Sequence, residues 1–338
     1  MRKHSDAGFT VAEALIATVL TMIVVGSALG TFTTSVALGD TARLISSTNQ
    51  GMQAAMSLMV RDFLQAGQGV PRGGIPVPTG NGAVAIVRPS PAGAGLTYPA
   101  AWVALPAVEP GGSLGPTVLG VTTDLVNLFY QDPNLALGQY PLVAIAADGS
   151  TATVDPRTNI GGADGLAVGD IILFNNALGT AAQAVTAING QLVTFAAGDP
   201  MGLNQRNAPQ GTLMQLTSGP GAFPPTTATR LVLVSYYIDV TTDPNVPRLV
   251  RQVNLGQRLA IALGVENLQF TYDLVDGTTN PSNVETPPAA NSANQIRKAN
   301  LFIAARSLEL SLPTGQFVRN SMAAGVGLRS LSFVDRYR

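Results

Sequence analysis

The chain contains no cysteine and one histidine, His4, at its extreme N-terminus. The first absence removes disulfides, thiol nucleophiles and Cys-ligated metal sites. Charge is also scarce. Asp, Glu, Lys and Arg make up 12% of the sequence against 46% hydrophobic residues, and the net charge is −1. No global field therefore points to nucleic acid or an anionic membrane. There is a single tryptophan, Trp102; in its Gly/Pro-rich surroundings it is read as the cover of a small core. What the chain has in quantity is glycine (36) and proline (23) alongside ample apolar residues. That combination describes a loop-rich β domain with a real core, not a disordered chain.

The most informative stretch is Gly8-Phe9-Thr10-Val11-Ala12-Glu13 and the run it opens. Arg2, Lys3, His4 and Asp6 precede it, and no charge occurs from Ala14 to Gly39. A helix crosses a bilayer with about 20 apolar residues, so this run is long enough. Glu13 is the exception at its start. A carboxylate at the centre of a membrane helix costs roughly 2.5–3.5 kcal/mol on insertion scales, which makes a partner for it expected. An ordinary signal peptide needs no such Glu, and its best small-x-small cleavage site, Ser27-Ala28-Leu29, is weak.

The helical pattern continues beyond the apolar run. Leu38, Ala42, Ile45, Asn49, Met52, Met56, Met59, Phe63 and Ala66 recur at alternating steps of four and three, a stripe apolar except for Asn49. Gly67 supplies a C′ stop, and Gly69-Val70-Pro71 ends the element. A single helix from Phe9 to Ala66 would be about 87 Å long. Its first half is expected to face membrane or filament core, its second half to pack on a domain. Gly26 and Gly30 allow local bending.

A short basic leader, a Gly, and Phe-Thr-x-x-Glu heading an apolar helix resemble the signal of type IV pilins and pseudopilins. The resemblance implies cleavage after Gly8 by a prepilin peptidase and methylation of Phe9 as the new N-terminus. Glu13 is then the fifth mature residue and neutralises the Phe9 amine, its own or a neighbour's. Val11-Ala12 departs mildly from the family's usual pair. Cleavage would remove His4, leaving no histidine or cysteine for triad catalysis or for zinc. No enzyme activity, cofactor or metal site is expected. Three later segments are similar to PilW-type minor pilins and the related J-type minor pseudopilins of type II secretion. They are Arg61-Asp62-Phe63-Leu64-Gln65-Ala66-Gly67, at the helix end, and the strands Val265–Tyr272 and Arg297–Ser307. The region from about Val70 to Pro220 shows no such match.

The expected fold class is α+β. A long N-terminal pilin helix, membrane-spanning in its first half, packs on a C-terminal antiparallel β domain that carries a small β insertion. The expected organisation is a leader at 1–8, the helix at 9–67 with 9–39 in membrane or filament core, and β domain at 68–146 and 224–338. An inserted β subdomain occupies 147–223. Strands are expected at Ala83–Val87, Asp124–Tyr130, Leu142–Ala146, Ile171–Phe174, Gln183–Ile188, Gln191–Phe195 and Thr212–Leu216. Asn189-Gly190 is a two-residue hairpin signal. Further strands are expected at Leu231–Val240, Arg248–Asn254, Leu259–Gly264, Val265–Leu274, Ile296–Ser307, Glu309–Leu312 and Gly325–Phe333. The polar stretch 276–294 is expected to be a mobile surface excursion. Asp132-Pro133-Asn134 and Asp243-Pro244-Asn245 read as turns before they read as calcium ligands.

From Arg297 to Arg338, seven basic residues face Glu309 and Asp335. This excess is read as a solvated face or filament contact, with no nucleic-acid partner expected. The resemblance implies a minor pilin that initiates, caps or decorates a filament. Its partners would be the prepilin peptidase, other major and minor pilins, and the inner-membrane assembly platform. It would sit in the inner membrane before assembly, with the β domain outside the cytoplasm, and in an extracellular or periplasmic filament afterwards. Two alternatives stay open. One is a minor pseudopilin of type II secretion; the other is a pilus-tip adhesin or DNA-uptake subunit.

Overall fold

The computed structural model describes residues 10–162, 164–206, 208–217 and 223–333. The architecture is one long N-terminal helix followed by antiparallel β structure. Helix α1 spans Val11–Gln65, 55 residues, and runs through Gly26 and Gly30 without interruption. It stops where expected. Gly67 takes φ 83°, a conformation that a Cβ disfavours. A Cβ there would also lie 2.8 Å from Leu331 Cδ2.

The larger strands are β1 (Val108–Gly111), β2 (Leu125–Gln131), β3 (Ile171–Asn176), β4 (Gly179–Ala184), β5 (Thr227–Asp239), β6 (Arg248–Val253), β7 (Arg258–Leu263), β8 (Val265–Leu274), β9 (Ile296–Leu310) and β10 (Phe317–Gly327). A seven-stranded antiparallel sheet is built around β5 in the order β4-β3-β5-β6-β7, with β2 also on β5 and β1 on β2. One edge of β5 holds β6. The other edge is shared, Leu231–Tyr236 pairing with β2 and Thr227–Leu231 with β3. A separate three-stranded sheet runs β8-β9-β10, and a small four-stranded one is formed by Ala187–Asn189, Leu192–Thr194, Thr151–Thr153 and Ala144–Ile145. The span 147–223 thus contributes to two sheets: β3 and β4 join the large one, and the Asn189-Gly190 hairpin belongs to the small one.

Two compact units divide the chain, Met1–Asn49 with Arg306–Asn320, and Gln50–Ala305 with Ser321–Arg338. In the second unit, the Met52, Met56, Met59, Phe63 and Ala66 stripe of α1 packs against Val234, Tyr236 and Ile238 of β5 and Leu268, Phe270 and Tyr272 of β8. Burying a side chain such as Phe63 or Met59 contributes about 1.5–3 kcal/mol. The opposite face of β5 places Leu231 and Leu233 in another core with Ile75, Leu105 and Phe129. Both faces of β5 are therefore covered, which explains its near-continuous apolar sequence Leu231–Val234.

Several expected strands differ from what is found. Thr212–Leu216 is instead a 3-10 turn, Leu213–Leu216, whose buried ends Leu213 and Leu216 fall three residues apart, the 3-10 repeat. Gln183–Ile188 is broken into β4 and Ala187–Asn189. At the break, the Val185 N–H bonds Asp170 and the Thr186 N–H bonds Thr194, so the chain changes sheets there. Ala83–Val87 forms no strand, only a bridge from Val87 to Thr97. Glu309–Leu312 and Gly325–Phe333 are parts of a longer hairpin: β9 extends to Leu310, β10 covers Phe317–Gly327, and Arg329–Phe333 is a 3-10 turn. The polar loop 276–294 is organised around Asp276, whose carboxylate accepts backbone N–H groups of Thr278, Thr279 and Asn280 and the Asn291 amide.

Candidate assembly and membrane-anchor site

The start of α1 is a reciprocal cap. The Glu13 carboxylate accepts the Thr10 N–H at 3.0 Å and its hydroxyl at 2.9 Å, while the Glu13 N–H donates to the Thr10 hydroxyl at 3.3 Å. Two donors at a helix start that would otherwise lack partners are thereby satisfied. Acidic charge also suits the positive end of the helix dipole. Of the expected site residues, Glu13 is placed in this cap; Gly8 and Phe9 lie outside the described residues.

Beyond the cap the helix is exposed, uncharged and apolar, and it is long and apolar enough to cross a membrane. Its hydroxyls do not contradict that. All seven Ser and Thr side chains between Ala14 and Gly39 donate to carbonyls of their own helix, from Thr18 to Leu15 through Ser35 to Thr31. In hydrocarbon every polar group needs such an internal partner. The sequence showed these hydroxyls but not their partners.

At the other end of α1 lies a buried lock built from Asp62. Its carboxylate is fully buried and accepts the Tyr236 hydroxyl at 2.6 Å and Arg251 Nε at 2.7 Å. Burial, and then the Asp62 charge, push the Tyr236 hydroxyl well above its ordinary range. The same two causes raise Tyr130 to about 12. This gives physical content to the segment Arg61–Gly67. Asp62 ties the helix to β5 and β6, Phe63 fills the core against Phe270 with ring centroids 5.8 Å apart, Ala66 is small because it is fully buried, and Gly67 turns the chain.

Sequence reasoning missed a second buried cluster. Glu109 on β1 accepts the Tyr98 hydroxyl and, at 3.2 Å, the Asn127 amide. Arg88 donates to the Glu109 and Pro110 carbonyls at 3.2 and 2.7 Å. Burial pushes the Glu109 carboxyl up to about 7, against the lowering influence of Arg88, Tyr98 and Asn127. Nothing in the Gly/Pro-rich text marks these residues as partners, because the register of β1 on β2, which sets Glu109 opposite Asn127, and the irregular segments carrying Arg88 and Tyr98 bring them together. Trp102 stacks on Tyr98 at 5.7 Å between centroids, consistent with a core-covering role.

Three of the basic residues toward the C-terminus are engaged internally. Arg297 donates to the Asn294 and Ile296 carbonyls, Lys298 pairs with Asp273 at 3.1 Å, and Arg306 lies 3.9 Å from the Phe317 ring centroid. Asp132 and Asp243 cap their own turns, accepting N–H groups of Asn134 and Asn245. Among the described residues, no group of three or more His, Cys, Asp or Glu converges as a metal site. Comparisons with protein-family models, curated proteins and solved structures find no match.

Proposed function

We propose that this chain is a minor type IV pilin of the PilW type, a non-enzymatic subunit that enters a filament through its N-terminal helix. One observation carries the reading. A single helix is exposed and free of charge from Ala14 to Gly39, and tied into a β domain through its second half by the methionine stripe and Asp62. The Thr10–Glu13 cap marks the end at which subunits would pair.

In this reading a prepilin peptidase cuts between Gly8 and Phe9, leaving an amine four residues before Glu13 in the sequence. A carboxylate has about four acceptor sites, and Thr10 occupies two of them, so Glu13 retains capacity for an amine. Pairing with a neighbour's amine in an apolar bundle offsets the desolvation of both charges and fixes subunit register. Before assembly the helix rests in the inner membrane with the β domain outside the cytoplasm; afterwards it forms filament core.

Intact mass and N-terminal sequencing of the protein from its native membrane test this, with and without the peptidase. The expected product begins at methylated Phe9. A chain that keeps Met1, or one that starts near Gly30, overturns the proposal. Glu13→Ala is expected to be cleaved yet lost from filaments, and unchanged incorporation would refute the pairing role.

A further inference from the structure

The unit formed by the start of α1 and Arg306–Asn320 holds a second apolar element. The hairpin of β9 and β10 lies along the helix in descending order. The Asn320 amide donates to Asn49 at 2.7 Å, Arg43 donates to Glu309 at 2.5 Å, the Thr41 and Ser311 hydroxyls meet at 3.3 Å, and the Leu312 N–H donates to Asp40 at 3.0 Å. As the chain leaves β9 and runs from Glu309 to Leu312 it therefore moves toward the uncharged half of the helix.

The charges fall in one belt. Asp40 is the first charged residue after Glu13, and Arg43 bridges it to Glu309 at 3.4 and 2.5 Å. On the hairpin, Glu309 and Arg319 flank 310–318, which carry no charge. Helix and hairpin thus lose their charges within about one helical turn of each other, Glu309 facing Arg43 and the Leu312 N–H meeting Asp40. Strand alternation then sorts the tip. Glu309 and Ser311 turn to the helix, while Leu308, Leu310 and Leu312 point outward and are 55, 52 and 74% exposed. Three outward leucines in a row, continuous with an exposed apolar helix, form a patch that marks an interaction surface.

Taking the helix as membrane-spanning, we infer that this hairpin tip is a second membrane contact. Leu312, level with Asp40, reaches into the acyl boundary of the nearer leaflet, and Leu310 and Leu308, level with Arg43 and beyond it, lie among the headgroups. Apolar elements of this kind settle about 5–10 Å into the headgroup–acyl boundary. The Asp40–Arg43–Glu309 belt stays at the headgroups, where exposed Arg43 can reach lipid phosphates. The tip fixes the tilt and rotation of the helix, which an isolated span leaves free.

The cysteine-free chain allows a direct test. Full-length Leu308→Cys, Leu310→Cys and Leu312→Cys variants carry an environment-sensitive fluorophore. They are reconstituted in phosphatidylcholine–phosphatidylglycerol vesicles containing lipid with a nitroxide at a shallow acyl position. Leu29→Cys is the marker for the helix span and exposed Ser47→Cys the marker above the belt. Loss of fluorescence is expected to be strong at Leu312, weaker at Leu310, slight at Leu308 and absent at Ser47. Quenching at Leu29 without quenching at Leu312 overturns the hairpin contact and leaves the span intact. Absence of quenching at Leu29 overturns the membrane reading itself. Shielding of Leu312 that follows protein concentration and ignores the nitroxide assigns the leucines to a second copy of the chain, and likewise overturns the inference.

Discussion

Between Val11 and Leu38 helix α1 exposes its large apolar side chains, with Leu20 at 57% and Phe32 at 66%; between Met52 and Phe63 it buries Met52, Met59 and Phe63 to 1% or less. The first half is apolar on every side and the second only along one stripe, and unbroken helix joins them. Among the described residues only the second meets a complementary surface, from β5 and β8. Hydropathy reports what a side chain avoids, and the partner that satisfies it has to come from elsewhere. For the first half, that partner is expected to be lipid or other subunits.

The sharpest way to break this contrast is to truncate one large residue in each half. Phe63→Ala is expected to destabilise the detergent-solubilised protein by about 3–5 kcal/mol, the range for emptying a fully buried aromatic site. Leu20→Ala is expected to stay within about 0.5 kcal/mol in the same chemical-unfolding measurement. Equal losses would mean that the first half has a partner inside the chain.

Charged contacts divide the same way. Asp62→Asn leaves Arg251 mostly buried without its counter-ion and is expected to lose about 3 kcal/mol, the low end for a buried pair broken on one side because Arg251 keeps some access to water. A loss below 1 kcal/mol in denaturant titration would remove Asp62 as the lock.

Glu109 tests burial through pH. Its carboxyl titrates near 7 in the folded protein against 4.5 unperturbed, so the folded chain holds this proton more tightly than the unfolded chain. The stability it contributes is full below about pH 4.5 and is lost as pH rises through about 7. The loss at pH 8 is on the order of 3 kcal/mol. Glu109→Gln should flatten that window and raise stability at pH 8, measured as unfolding midpoint against pH. An unchanged profile would show that Glu109 is not the titrating group.

The smallest effect belongs to the exposed belt. Glu309→Gln removes an ion pair whose two side chains are 65 and 61% exposed, and only a slight fall in the unfolding midpoint, shrinking with added salt, is expected. A larger, salt-insensitive loss would place that pair in a drier setting than its exposure implies.

The sequence alone determined the helix and its two characters, because a charge-free run and a 3.5-residue stripe are local patterns that follow from helix geometry. It also determined the Gly67 stop, where backbone conformation favours glycine, and the long strands β5, β6 and β8, whose apolar content and turn punctuation are continuous in the chain. Tertiary structure decided what meets what. Ile171–Leu173 pairs with Thr229–Leu231 across more than fifty residues, and Thr212–Leu216 becomes a 3-10 turn because its two leucines must reach one core. Asp62 finds Tyr236 and Arg251, and Glu109 finds Tyr98 and Asn127. The level at which the 310–318 tip meets Asp40 was decided there too. Each depends on strand register and loop closure between distant segments, and neither leaves a period in the sequence to read.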